Sequence, residues 1–381
     1  MSVQQSWDSQ VDTGYLVGLE LENIRAFDHL KLDFGSRGDA RLLSIIIGRN
    51  GTCKSTLLRS IALGLGNPRD AEALLAYPFG GRLVGGFGET GRITLRYRSA
   101  LNLDAAVDCL SYVLRRGPTG DYVESAPDRS HAERFICAYG AGRGFSSSQS
   151  RQRGSNYRSM DSVAMLFDYQ VGFVDTELML RRVHDFFGEA RYEAVMAGIK
   201  RVIGMGDEHS ISFGKGGGVY VSGPGLGSDV GLDNLADGYR LTFSWMVDLY
   251  GWAMQAGTLS EDGGIRGIVL LDEIEQHLHP SMQSDLPEQL CELLPDLQVI
   301  ASTHSPLTAL GTASENVIAL HRDGERIVLA AVPDLTGYSA EDALVEDTLF
   351  GTDPFPRHTR SKLDRYRKLM KTAPAGAVLV R

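Results

Sequence analysis

Cysteine is scarce in this 381-residue sequence: Cys53, Cys109, Cys137 and Cys291 are the four it carries. They are scattered and form no C-x-x-C pair, so neither a zinc site nor a disulfide framework is indicated, and free thiols are expected. No run of about 18 apolar residues is present to cross a bilayer. The opening MSVQQSWDSQVDTG lacks the basic and apolar blocks of a signal peptide, so a cytoplasmic location without a membrane partner is expected. Positive charge is in deficit as well. A net charge of −10 opposes a surface that coats nucleic acid, whose phosphates need a positive counterpart. Two local basic runs remain: Arg143, Arg151, Arg153 and Arg158 in RGFSSSQSRQRGSNYR, and RHTRSKLDRYRKLMK near the C-terminus. Both read as solvated faces or partners for the acidic excess, with DNA or RNA contact left open. Sustained heptads and internal repeats are also missing, which excludes long coiled-coil arms.

Apolar content is ample. At 43% hydrophobic residues the chain can bury the core of one large domain with insertions or of two modest ones. YLVGLELENI and HLKLDF read as paired opening strands, and LLSIIIG as an apolar strand entering a Gly-rich turn. KSTLLRSIALGLG follows as a helix stopped by Gly66. From about residue 78 to 138 the pattern becomes Gly-punctuated alternation, and ITLRYRS, DCLSYVL and RFICAY are expected to build an antiparallel sheet. GAGRGFSSSQSRQRGSNYRS is aperiodic and reads as a long loop. TELMLRRVHDFFG and EARYEAVMAGIKRVIG are expected helices, HSISFGKGGGVYVSG a hairpin, PGLGSDVGLDN a flexible stretch and YRLTFSWMVDLYGWAMQAG a strong helix. GIVLLD and LQVIAST supply further parallel strands, with SMQSDLPEQLCELL as the helix between them. This order predicts an α/β fold whose mainly parallel sheet is covered on both faces. Residues 1–335 form the expected head, with an inserted loop and helical segment at about 140–206. Residues 336–381 form an expected amphipathic helical tail, with Leu344, Leu349, Leu363, Tyr366 and Leu369 on its apolar face.

The stretch GRNGTCKSTLL, Gly48 to Leu58, is one residue away from the phosphate loop G-x-x-x-x-G-K-[ST], because Cys53 stands at the second glycine. Gly48, Arg49, Asn50, Gly51, Thr52, Cys53, Lys54, Ser55 and Thr56 are the candidate nucleotide-binding set. Gly48 and Gly51 let backbone N–H groups curl around phosphate oxygens, Lys54 brings a charge to the β and γ phosphates, and Ser55 offers a hydroxyl to Mg²⁺. Cys53 fits if its φ is negative and its thiol points away from the nucleotide. In GIVLLDEIEQHLHP an apolar strand delivers two carboxylates to its C-terminal edge. Asp272 suits the metal and Glu273 suits polarisation of an attacking water. His304, at the end of LQVIASTHSP, can donate a hydrogen bond to a γ phosphate. LADGYR places Leu235, Ala236, Asp237 and Gly238 at a helix N-terminus, a second anion site that one nucleotide does not need and that would face another subunit.

Taken in order, GRNGTCKST, LADGYR, LLDEIEQHLHP and THSP, with the opening LENIRAFDHLKLDF, resemble the ATP-binding-cassette ATPases of the SMC, RecF and OLD branch. That resemblance, over most of residues 15–325, implies an ABC-type ATPase head that binds ATP and Mg²⁺ and pairs head to head as a homodimer or larger homo-oligomer. It assigns Lys54 and Ser55 to phosphate and metal, Asp272 to metal, Glu273 to water activation, His304 to the γ phosphate, and Ala236 with Gly238 to the partner's nucleotide. Ala236 replaces the usual serine of the signature, and no Q-loop glutamine is assigned, Gln149 and Gln152 lying in the Arg-rich segment. The chain lacks the arms of SMC proteins, and no D-x-D cluster of an OLD-type TOPRIM domain follows His304. YGAGR, SVAMLFD, LADGYR, LDEIEQHLHP and GYSAEDALVEDTLFG together resemble the ATPases of bacterial anti-phage systems such as Septu and the retrons. The implied function is an ATP-hydrolysing regulator of a separate effector, such as an HNH nuclease. The alternatives are a RecF-like DNA-binding ATPase in repair or replication and a nucleotide-binding scaffold with little turnover.

Overall fold

The computed structural model describes residues 11–36, 39–101, 107–127, 133–144, 157–214, 218–260, 262–352, 355–356, 358–363 and 365. Two sheets sandwich the helix that follows the phosphate loop. The six-stranded sheet runs in the order Arg326–Ala330, Val317–Asp323, Leu43–Ile47, Leu297–Ser302, Gly267–Leu271 and Ile136–Tyr139, and only its first pair is antiparallel. Its central strands are buried at every position, as expected of parallel strands covered on both faces. The five-stranded sheet, Phe27–Asp33, Tyr15–Ile24, Thr90–Arg98, Asp108–Arg116 and Asp121–Ser125, is antiparallel throughout.

Helix Lys54–Leu65 is buried nearly all round because it lies between these layers. Leu57, Leu58, Ile61 and Leu65 pack in one core with Leu19, Leu21, Ile93 and Leu95 of the antiparallel sheet and with Ile46, Ile268 and Ile300 of the parallel sheet. On the opposite face of the parallel sheet, Ile45, Ile47, Val269 and Val299 share a second core with helices Thr176–Phe187, Glu189–Val202 and Asp237–Ala256. Gln298, fully buried, ties the sheets together by accepting from Leu16 N–H at 2.8 Å and donating to the carbonyls of Leu16 and Arg41, both at 2.9 Å.

Several elements depart from the sequence reading. Ile136–Tyr139 does not join the antiparallel sheet but lies parallel to Gly267–Leu271. Its four residues are all buried, which is the signature of the central layer and not of a sheet with one wet face. Gly227–Gly231, read as part of a flexible stretch, is the third strand of a small sheet with Ser210–Phe213 and Val219–Gly223. The helix between the last parallel strands is broken into Pro280–Gln283 and Leu286–Leu293, with Pro287 in the first turn of the second piece. Strands Val317–Asp323 and Arg326–Ala330 and helix Ser159–Phe167 were not read as elements at all. In the tail, helix is confined to Ala340–Val345 and to residues 358–363 and 365 among the described residues. Leu349 and Phe350 are buried in the core of the head. Tyr366, Leu369, Gln149, Gln152, Arg151 and Arg153 lie outside the described residues.

Candidate active site

Strand Leu43–Ile47 delivers Gly48 to a tight turn, and its φ of 148° is one that glycine alone adopts without strain. A Cβ there would also strike the Leu320 carbonyl and the Thr52 hydroxyl. Buried Thr52 closes the loop by donating from N–H and Oγ1 to the Arg49 carbonyl, at 3.2 and 2.9 Å. Arg49, Asn50 and Gly51 stay exposed, and Arg322 on the neighbouring strand donates to the Gly51 carbonyl at 2.7 Å. Cys53 then caps helix Lys54–Leu65 with φ 61° and ψ 26°. The negative φ expected for it is therefore wrong: the chain must turn from the loop into the helix through left-handed backbone, the conformation for which glycine is the usual residue.

Lys54 is buried and folds back over the loop. Its Nζ donates to the carbonyls of Gly48 at 2.8 Å and Arg49 at 3.4 Å and lies 3.4 Å from His304 Nδ1. Thr52, Cys53, Lys54, Ser55 and Thr56, with Gly51, Arg25, Arg59 and His304, line an open pocket of about 330 Å³.

Asp272 and Glu273 follow strand Gly267–Leu271. Asp272 is 1% exposed, and its Oδ1 accepts from Ser302 Oγ at 2.5 Å. Its Oδ2 has no hydrogen-bond partner among the described residues. Ser302 also accepts from Glu273 N–H at 2.9 Å, so one hydroxyl fixes both acidic residues. Glu273 takes φ 52°, and its carboxylate lies 3.8 Å from His304 Nε2. Glu275 accepts from His304 N–H at 2.7 Å. A hard divalent cation fits this donor set: a buried carboxylate oxygen without a partner and the Ser55 hydroxyl are oxygen ligands of the type Mg²⁺ takes.

Burial and crowded charge perturb Lys54, Glu273 and His304. The Lys54 ammonium is pushed down to about 8 by burial, against the opposing pull of Asp272, Glu273 and Glu275. Burial, then the charges of Asp272 and Glu275, raise the Glu273 carboxyl above its ordinary range, with Arg143 and Lys54 partly opposing. His304 is lowered by burial and then by Lys54, which favours the neutral ring.

Leu235, Ala236, Asp237 and Gly238 do not line this pocket. Leu235 is buried, while exposed Ala236 caps helix Asp237–Ala256 without a side-chain bond. Asp237 stands in the first turn, and Arg240 pairs with it at 3.0 Å and with Asp233 at 4.0 Å. Gly238 is pressed against the turn after Glu273, where a Cβ would collide with the His277 carbonyl.

Sequence reasoning missed much of the supporting cast. Arg143, read as part of a solvated basic run, is 4% exposed and bonds to the Asp272 turn. Arg59 lies one turn beyond Ser55 on the same helix face, donates to the Leu166 carbonyl at 2.9 Å and stacks over Phe79. That i, i+4 spacing was the available signal. Nothing in the sequence around Arg322, Ser302 or Glu275 set them apart.

Residues 247–310 match a family model described as an AAA domain, putative AbiEii toxin, Type IV TA system, and residues 18–76 match a second AAA domain model. The Septu protein PtuA of Bacillus mycoides (strain KBAB4) is 24% identical over 93% of this chain and 47% of its own length. That of Bacillus thuringiensis is 23% identical over 87% of this chain and 82% of its own. The Retron Vc95 probable ATPase of Vibrio cholerae serotype O1 biovar El Tor is 32% identical over 31% of this chain and 23% of its own. The chain thus spans about half the length of the first of these relatives. Among solved structures, the SMC head domain from Thermotoga maritima aligns with TM-score 0.46 at 13% identity, over 84% of this chain and 99% of that one. The two AAA-domain matches and the relatives make this chain similar to AAA-type ATPases. Within that class the chain resembles the Septu protein PtuA.

Proposed function

We propose that this protein binds ATP, hydrolyses it between paired heads, and uses that cycle to control a separate effector, such as a nuclease, in anti-phage defence. The observation that carries the catalytic part is the meeting of a buried, half-satisfied Asp272 carboxylate with Glu273, His304 and Lys54 at one phosphate loop. Loop amides and Lys54 bind the phosphates, and Lys54 is already held over the loop by the Gly48 carbonyl. Ser55 and Asp272 would hold Mg²⁺, which supplies charge stabilisation to the phosphates. Glu273, raised by burial, accepts a proton from the attacking water more readily than an ordinary carboxylate. Neutral His304 donates toward the γ phosphate while its backbone N–H is anchored by Glu275.

Leu235–Gly238 lie outside the pocket, which supports their use by a second copy in the manner of ATP-binding-cassette heads. The effector role rests on the likeness to the Septu and retron ATPases. The test is a pair of substitutions. Glu273→Gln is expected to bind ATP and lose turnover, by on the order of 100-fold or more, because the base is gone while the metal oxygens remain. Lys54→Ala is expected to lose binding itself. Equal turnover in wild type and Glu273→Gln, measured by phosphate release, removes Glu273 from the reaction.

A further inference from the structure

Arg143 ends the short segment Gly140–Arg143 that leaves strand Ile136–Tyr139, the neighbour of the strand bearing Asp272. It is 4% exposed, and no carboxylate among the described residues pairs with it directly. Its guanidinium instead donates to backbone carbonyls: Asp272 at 2.6 Å and Glu273 at 2.8 Å, with Ile274 and Gly140 each at 3.4 Å. Three of these carbonyls are consecutive. For consecutive carbonyls to converge on one group the chain must curl, and it does so at Glu273, whose φ of 52° is unfavourable for a residue with a Cβ. A planar fork of N–H donors can bridge such a row of carbonyls, whereas an ammonium cannot span it. The other side of the turn is held by Ser302, which accepts from Glu273 N–H. The Glu273 carboxylate therefore reaches His304 from a backbone clamped on both sides.

We propose that Arg143 is a positioning residue that holds the strained Glu273 turn and so aims the carboxylate, making turnover depend on it while nucleotide binding does not. This rests on hydrolysis at Glu273 as proposed above. Among the described residues Arg143 hydrogen-bonds only to backbone carbonyls, beyond which its charge acts on the Glu273 carboxyl from a distance, and it is absent from the lining of the phosphate-loop pocket. A misplaced base slows the chemical step without weakening the grip on phosphate.

The experiment compares Arg143→Lys and Arg143→Met in the full chain, measuring kcat, KM, the dissociation constant for Mg-ATP, and hydrogen exchange of the peptide covering residues 272–278. In Arg143→Met, kcat is expected to fall about 100-fold, the scale of a slightly misplaced catalytic group. The Mg-ATP dissociation constant should stay near wild type in both variants. Arg143→Lys should recover part of the rate, because it keeps a donor and the charge, and exchange across 272–278 should quicken in both. A folded Arg143→Lys with wild-type kcat and exchange overturns the proposal, as does a loss of ATP affinity that matches the loss of kcat. If Arg143→Met does not fold, Arg143→Lys decides. If the wild type itself shows no ATP turnover, the catalytic reading fails, while the exchange measurement still decides whether Arg143 holds the turn.

Discussion

Cys53 occupies a helix N-cap at φ 61°, lines the phosphate-loop pocket together with Lys54 and Ser55, and packs against the core beneath the loop. Left-handed backbone costs a residue with a Cβ about 1–2 kcal/mol, while glycine forfeits about 0.5–1 kcal/mol of chain entropy. Cys53→Gly is therefore expected to stabilise the fold by roughly 0.5–1 kcal/mol, read as a shift of the urea midpoint at constant slope. Added bulk on the thiol should obstruct the phosphate cradle. Thiol alkylation is expected to abolish ATP binding, Mg-ATP to protect, and Cys53→Gly to keep turnover while losing the sensitivity. Unchanged ATP binding after alkylation of the apo wild type, with modification at Cys53 verified by mass, defeats the second half. The residue type at 53 was plain in the sequence, but its backbone was not, since φ is set by the exit of strand Leu43–Ile47 into helix Lys54–Leu65. Arg143 was obscured for a related reason. An arginine in a Gly- and Ser-rich run looks solvated until the neighbouring strand is known to carry Asp272.

Elements were legible in proportion to their periodicity. The hairpin Tyr15–Ile24 with Phe27–Asp33, the phosphate-loop helix and helix Asp237–Ala256 all carry a pattern that burial on one or two faces imposes. Ile136–Tyr139 has only four residues, too few to reveal whether its neighbours run parallel or antiparallel. The segment after residue 335 misleads for another reason: Leu344, Leu349 and Phe350 look like part of one helical face but are spent individually on the head. Ser339 opens helix Ala340–Val345 with a capping box, the chain turns at Glu346, and Leu349 and Phe350 enter the same core as Ala309 of helix Pro306–Leu310. That helix follows His304 directly, so the segment buttresses the strand end that presents it. Leu349, 1% exposed, should cost about 2–5 kcal/mol of stability when changed to alanine, by loss of apolar burial and the cavity left behind. The measurement is chemical denaturation. A change below about 1 kcal/mol would show that the segment does not belong to the folding unit of the head.

At the scale of the whole molecule, the N-terminus of helix Asp237–Ala256 is the feature without a use inside one copy. Two properties set how well it could receive a phosphate from another copy. Asp233 and Asp237 place negative charge there, and Arg240 is engaged with both, so the positive end of the helix is partly neutralised before any partner arrives. Ala236, at the cap itself, offers no hydroxyl. Pairing driven by ATP is thus expected to be weaker than a serine at the cap would give. Ala236 is exposed, so Ala236→Ser adds a donor without disturbing the core. Gly238→Ala would be a poor probe, because its Cβ meets the His277 carbonyl within the same copy. In a Glu273→Gln background, where bound ATP persists, Ala236→Ser is expected to tighten self-association by about 2 kcal/mol, roughly the net worth of one hydrogen bond at each of the two equivalent sites of a symmetric pair. Sedimentation equilibrium with and without Mg-ATP reads this directly. If Glu273→Gln stays monomeric at every ATP concentration, head pairing itself fails. If it pairs with ATP but Ala236→Ser leaves the association unchanged, the helix N-terminus is not the surface that meets the partner's nucleotide.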